Sequence, residues 1–133
     1  MEFAIILPLL VLLVFGIVEL SFALYDQAMI TNASREGARF GIVYRIPAVT
    51  DAEIASVVNS YLGTHLVTFG GKHSPSSDPV TGATVIVTRA GVSPGGNLTV
   101  RVGYTYSFLV LPKLTPGLGQ GINMAAQTVM RME

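Results

Sequence analysis

The feature that most constrains this chain is an uncharged apolar segment, Phe3–Val18 (FAIILPLLVLLVFGIV), which lies between Glu2 and Glu19. The sequence that follows, to about Tyr44, is rich in Leu, Ala and Met and is far too long for a strand, so a helix is predicted over residues 3–44. The 133-residue chain leaves too little sequence to enclose the apolar segment. A lipid bilayer or other copies of the chain must therefore cover it.

Two features distinguish this segment from a cleaved secretory signal peptide. No basic region precedes it, and no small-x-small cleavage site follows it. Its sixteen residues span roughly 24 Å as a helix, somewhat less than the ~30 Å hydrocarbon core of a bilayer. Extension to Tyr25 would suffice, but it would bury Glu19. The segment is therefore predicted to be a minimal membrane span.

The composition excludes several classes of function. Eight basic and eight acidic residues give a formal net charge of zero, whereas nucleic-acid binding requires a basic face. Because the chain has no cysteine, it has no disulfides and no thiolate sites. His65, His73 and Asp78 lack metal-ligand spacing, and the serines between residues 74 and 77 do not resemble a nucleophile elbow. We therefore expect no enzyme, no metal and no cofactor.

The long helix is apolar on every side up to Val18 and two-faced beyond Glu19. At 100° per residue, one stripe holds small and apolar residues: Ala23, Ile30, Ala33, Gly37 and Gly41. Three of them, at residues 33, 37 and 41, form a small-xxx-small ladder that lets another backbone approach closely. We expect this stripe to seat the chain's own C-terminal domain, while Arg35 and Arg39 face solvent or a neighbour. Pro8 should kink or loosen the first turns.

A smaller α+β head is predicted after Pro47, which ends the long helix. The capping box Thr50–Glu53 begins a short amphipathic helix, and Gly63 ends it. Alternating apolar residues predict strands at His65–Phe69, Ala83–Arg89, Asn97–Leu111 and Ile122–Glu133. The predicted fold class is therefore α+β: a hydrophobic N-terminal helix (residues 1–45) carrying a head (residues 46–133) with one short helix and an antiparallel sheet of about four strands.

Charged residues of the long helix have a structural interpretation beside a functional one. Glu19 and Asp26 share a face and are most simply surface residues at the membrane boundary, while Arg35 and Arg39 are most simply a solvated face. Salt bridges between the two sets on neighbouring subunits are the alternative, although exposed pairs contribute little. Asn97 begins an N-glycosylation sequon. The loop of residues 70–82 and the Asn97 region are candidates for outward-facing recognition.

Glu2 is an acid beside the N-terminus of an apolar helix, where the helix dipole favours it by ~0.3–1 kcal/mol. In a polymer its carboxylate would be buried and would need to pair with the N-terminal amine of a neighbour, since an unpaired charge in an apolar core costs roughly 3 kcal/mol or more. We predict that Glu2→Ala impairs assembly without unfolding the head. Filament yield measures this effect, and a normal yield would remove Glu2 from the mechanism.

Both ends of the sequence carry family resemblance. The N-terminal EFAIILPLLVLLVFGI, followed by VEL-x(3)-LYDQAMITNASREGARFGIV, closely resembles the signature of TadE-like proteins of tight-adherence (Tad) pilus systems. The C-terminal TVRVGYTYSFLVLP and AAQTVMRME are similar to that family's last strands. The middle, residues 45–95, is unmatched.

The resemblance implies a pilin-like protein that is held in the cytoplasmic membrane by its N-terminal helix and then moved into or alongside an extracellular filament. It implies a prepilin peptidase and the pilus assembly machinery as partners. In pilins the peptidase removes a short basic leader; none precedes the apolar segment here, so we expect the mature form, beginning at Met1. The acid at Glu2 departs from the usual type IV pilin pattern.

Three functions follow from these observations. The first is a structural subunit that polymerises into an adhesive extracellular pilus, with contacts assigned to Glu2, Phe3, Pro8, Phe15, Glu19, Asp26, Arg35 and Arg39. The second is a membrane-anchored minor pilin or pilus assembly or tip factor, the role generally given to family members. The third, an enzyme anchored by one helix, lacks a catalytic constellation. We expect the first.

Overall fold

The computed structural model describes residues 2–43, 45–67, 82–91, 95–109 and 121–132, apart from the side chains of Glu2 and Ala4. Two helices precede three strands along this part of the chain: α1 (Glu2–Gly41), α2 (Asp51–His65), β1 (Thr84–Ala90), β2 (Asn97–Tyr106) and β3 (Ile122–Arg131). The predicted α+β class is confirmed, with a long apolar N-terminal helix, one short helix and an antiparallel sheet. Helix α1 continues through Pro8 and ends at Gly41, three residues before the predicted end.

The sheet has the order β1-β2-β3, and both pairings are antiparallel. About four strands were expected, and the described residues form three. The candidate strand His65–Phe69 is wrong at its start, because α2 continues past the exposed Gly63 to His65. A bond from the Leu66 N–H to the Leu62 carbonyl closes its last turn. Residues 68 and 69 lie outside the described part of the chain.

The core lies between the inner face of β2 and the two helices. Every second residue of β2 from Leu98 to Tyr106 is buried, as the two-residue period predicts. Helix α2 contributes Ile54, Val58 and Leu62 to this core, and α1 contributes small and apolar residues from Ala23 onward. The second half of α1 is therefore packed against the head, as expected from its stripe of small and apolar residues.

Helix α2 begins at the predicted capping box. The Thr50 Oγ1 atom accepts a hydrogen bond from the Glu53 N–H at 3.3 Å, and the Glu53 Oε2 atom accepts one from the Thr50 N–H at 2.7 Å. Arg45 forms an ion pair with the same carboxylate. The hydrogen bond from the Thr50 N–H, followed by those from Arg45 and the Thr50 hydroxyl, lowers the pKa of Glu53 to about 2.

This cap should make the stability of the head depend on acid pH. Because the pKa of Glu53 falls from its ordinary value of 4.5 to about 2 on folding, its contribution is complete above pH 4.5 and is lost as the pH falls toward 2. Glu53→Gln keeps an acceptor but does not titrate there. Thermal unfolding followed by circular dichroism should therefore show a larger loss of stability in this pH range for the wild type than for Glu53→Gln. Parallel pH profiles would contradict the prediction.

Candidate functional site

The first half of α1 is uncovered. Twelve large apolar side chains between Phe3 and Val18 are exposed, and Phe3 and Ile5 expose 76% and 78% of their surface. Phe15, assigned to subunit contact, is among them, and Pro8 is exposed too. Of the side chains that the structure describes in this half, none is buried. By length and composition, α1 could cross a membrane.

The second half of α1 is seated on the head through its stripe of small residues. Ala33, Gly37 and Gly41 are buried. A Cβ atom added to Gly37 would overlap Val58 Cγ2 and lie 3.5 Å from Val100 Cγ1, while one added to Gly41 would lie 2.6 Å from Ile54 Cδ1. The missing side chains therefore let α1 lie directly against α2 and β2, as was expected for this stripe.

Two acidic residues of α1 lie on the same seated face. Glu19 is buried, and its Oε1 atom accepts a hydrogen bond from the Leu109 N–H at 2.7 Å. Asp26 is fully buried, and its Oδ1 atom accepts one from the Val67 N–H at 3.0 Å. The interpretation of both as surface residues is wrong, because the face that they share is the one that the head covers. Their assignment to subunit contacts stays a prediction.

Tyr104 and Tyr106 of β2 lie near these acids. Tyr104 is buried, and its burial together with the negative charge of Asp26 raises the pKa of its phenol to about 12. The ring of Tyr106 packs edge-to-face on Phe108 with centroids 5.4 Å apart. Asp26 Oδ2 and Tyr106 Oη are buried without a hydrogen-bond partner in the described part of the chain. The seat of α1 therefore combines apolar packing with buried polar atoms.

Replacement of Asp26 should separate its hydrogen bond from its charge. Asp26→Ala leaves the Val67 N–H without its acceptor, which is expected to cost about 1–3 kcal/mol of unfolding free energy. Asp26→Asn keeps an acceptor oxygen and removes the buried charge, so it should be at least as stable as the wild type at neutral pH. Denaturant unfolding measures both. If Asp26→Asn were less stable than Asp26→Ala, the negative charge itself would be required.

The opposite face of α1 is polar and open to solvent. Asn32, Arg35 and Arg39 are exposed, as expected. Arg39 Nη2 lies 3.4 Å from Glu36 Oε1, but the pair is too exposed to contribute much stability. Among the described residues, the charged side chains on this face contribute little to the fold. They are therefore available to contact a neighbouring subunit.

The remaining candidates do not gather into a site. His65 stacks on Tyr61 at a centroid distance of 4.6 Å, and the described residues contain no group of three or more metal-ligating side chains. His73, Asp78 and most of the 70–82 loop lie outside the described residues, as does the side chain of Glu2. Asn97 is exposed at the first position of β2.

The groups that bind the two acids are far from them in the sequence, so local patterns do not reveal them. The partners, the backbone N–H groups of Leu109 and Val67, lie 90 and 41 residues away in the sequence. A signal was nevertheless present, because Glu19 is four residues before Ala23, and Asp26 is four before Ile30, on the small and apolar stripe. Acids on a stripe assigned to packing indicate buried, hydrogen-bonded carboxylates.

Comparison with known proteins supports the resemblance of the N-terminal helix. The family model described as TadE-like protein matches residues 1–39, which cover almost all of α1. No curated protein and no solved structure matches the chain. The match associates the chain with tight-adherence pilus systems, and together with the apolar helix it is compatible with membrane anchoring and with association with a pilus.

Proposed function

We propose that this protein is a structural, pilin-like subunit that is held in the cytoplasmic membrane by α1 and then polymerises into an extracellular adhesive filament. The observation that carries the proposal is the division of α1 into two halves. Its second half completes the core of the head, whereas the half from Phe3 to Val18 is left exposed. One half of the helix thus belongs to the folded head, and the other half is a surface that lipid or other copies of the chain can cover.

The size of this exposed surface determines what can cover it. Burial of one large apolar side chain contributes about 1.5–3 kcal/mol, and twelve such side chains are exposed. Exposure of all of them to water would therefore cost more than the typical stability of a domain, about 5–15 kcal/mol. Lipid can cover this surface before assembly, and helices of neighbouring copies can cover it in a filament.

A subunit of this kind needs partners and no catalytic site. The partners are other copies of the chain, the membrane, a prepilin peptidase and the pilus assembly machinery, with no nucleic acid. Filament contacts would come from the exposed half of α1 and from the exposed Arg35 and Arg39. No enzymatic activity is proposed, and the TadE-like match to α1 supports a role in a pilus system.

Identification of the main polypeptide in sheared surface filaments tests the proposal. A homopolymer requires this chain to be the predominant protein. If the filaments contain it only in traces, the homopolymer is wrong, and the chain is a minor pilin or an assembly or tip factor.

Cross-linking can show which surface mediates the contact. Because the chain has no cysteine, Leu10→Cys gives a single reactive site on the exposed half of α1. Arg101→Cys, at an exposed position of β2, is the matched control. Homodimeric cross-links in filaments are expected for Leu10→Cys and not for Arg101→Cys. Equal cross-linking at both positions would contradict a filament core formed by α1.

A further inference from the structure

The apolar half of α1 is short for a membrane span. From Phe3 to Val18 it covers roughly 24 Å, against a hydrocarbon core of ~30 Å. From Phe3 to Tyr25 it would cover roughly 34 Å. The obstacle to the longer span is Glu19, because an exposed carboxylate in hydrocarbon is costly.

The head removes this obstacle. The Glu19 side chain is buried within the chain, and the Leu109 N–H donates to its Oε1 atom at 2.7 Å. Lipid at the level of residue 19 would therefore contact the part of the head around Leu109 and not the carboxylate itself. Leu109, in that segment, exposes 56% of its surface.

The surface of α1 beyond Glu19 is also compatible with lipid. Leu20, Leu24 and Tyr25 are exposed, and the hydroxyl of Ser21, between them, donates to the Ile17 carbonyl at 2.8 Å. Asp26 is buried under the head, so the first exposed charge after Phe3 among the described side chains of α1 is Arg35. Tyrosine is also one of the residues enriched at membrane–water interfaces.

We infer that Leu20, Leu24, Tyr25 and Leu109 form an apolar collar that contacts the bilayer, so that the head rests on the membrane with its base in the interfacial region. The inference rests on the membrane anchoring under Proposed function and goes beyond it, because it makes a segment of the head a second lipid contact. Continuity of the collar with the exposed half of α1 favours lipid over a separate protein partner.

The depth of single labels in a membrane tests the collar. The full chain is reconstituted into phosphatidylcholine vesicles with an environment-sensitive fluorophore on one introduced cysteine. The variants are Leu109→Cys and Leu24→Cys in the collar, Leu13→Cys in the apolar half, and Arg101→Cys on the exposed face of β2. Leu109→Cys keeps the hydrogen bond to Glu19, since the donor is the backbone N–H. Near-ultraviolet circular dichroism of the buried tyrosines checks that each variant is folded.

Spin-labelled lipids should quench the labels at residues 13, 24 and 109, with the quencher near the headgroups most effective at 24 and 109. The label at residue 101 should instead be quenched by aqueous iodide. If the label at 13 is quenched by lipid while those at 24 and 109 behave like that at 101, the collar is overturned and the anchoring stands. If the label at 13 is not quenched by lipid, the anchoring is overturned, and the collar with it. Cross-links between copies through Leu109→Cys in vesicles, without lipid quenching, would identify a second copy as the occupant and overturn the lipid contact.

Discussion

Leu13→Arg is expected to reduce retention of the chain in the membrane by about two orders of magnitude. Leu13 lies within the exposed apolar half of α1, and 54% of its surface is uncovered by the chain itself. An arginine at the centre of a membrane helix costs about 2.5–3.5 kcal/mol on insertion scales, and each 1.4 kcal/mol corresponds to a factor of about ten. Because no described part of the head covers this position, the head should remain folded.

The matched control for this change is Asn32→Arg, on the same helix. Asn32 is exposed in the second half of α1, beside residues that already carry positive charge. The membrane-bound fraction after a high-salt wash measures retention, and near-ultraviolet circular dichroism of the buried tyrosines monitors the head. Retention of Leu13→Arg equal to that of Asn32→Arg would show that this half of α1 does not enter the bilayer.

Local patterns predicted most of the secondary structure. The period of two along β2 correctly separated its buried face from its exposed one, and the capping box correctly placed the start of α2. Gly63 was misleading as a helix terminator, because a glycine can be tolerated within a helix at a cost of about 1 kcal/mol relative to alanine. Periodicity and capping depend on residues that are close together in the sequence, which is why both could be recognised from the sequence alone.

The polar contacts of the candidate site could not be predicted in the same way. Whether Glu19 lies on a surface or in a core depends on where the chain returns 90 residues later. Because Glu19 is a charged residue at the end of an apolar segment, exposure of its side chain at the membrane boundary was the simpler expectation. The N–H groups that bind Glu19 and Asp26 come from residues just after β2 and α2, and hydrophobic periodicity carries no information about where those residues lie relative to α1.

Under the proposed function, burial of these acids lets one helix serve two environments, the membrane and the filament. Lipid and the interior of a filament are both apolar, so an exposed carboxylate at Glu19 would be unfavourable in either. Within the chain itself, a backbone N–H of the head donates to Glu19 and another donates to Asp26. We therefore propose that correct seating of α1 on the head is a condition for assembly as well as for stability, and that the small-residue stripe determines that seating.

Gly37→Leu should disrupt this seat and lower the unfolding free energy by about 3 kcal/mol, near the upper end of the usual cost of overpacking. A Cβ atom at Gly37 would already overlap Val58 Cγ2, which belongs to a stiff β-branched side chain on α2. Gly37→Ala should be less harmful, because alanine adds only the Cβ atom at this contact, whereas leucine adds three further carbons. Denaturant unfolding of the full chain in detergent micelles, followed through the tyrosine signal, measures both variants.

Gly63→Leu is the control that separates packing from helix propensity. Gly63 is a helical glycine too, but it is exposed near the end of α2, so leucine there should raise the stability by up to about 1 kcal/mol. The two identical substitutions should therefore change the unfolding free energy in opposite directions. If Gly37→Leu were as stable as Gly63→Leu, the close approach of α1 to α2 would not be needed for the fold. If Gly37→Leu is destabilised as expected, the same variant should also assemble poorly, because loss of this packing would uncover Asp26 beside the half of α1 that is proposed to enter the membrane.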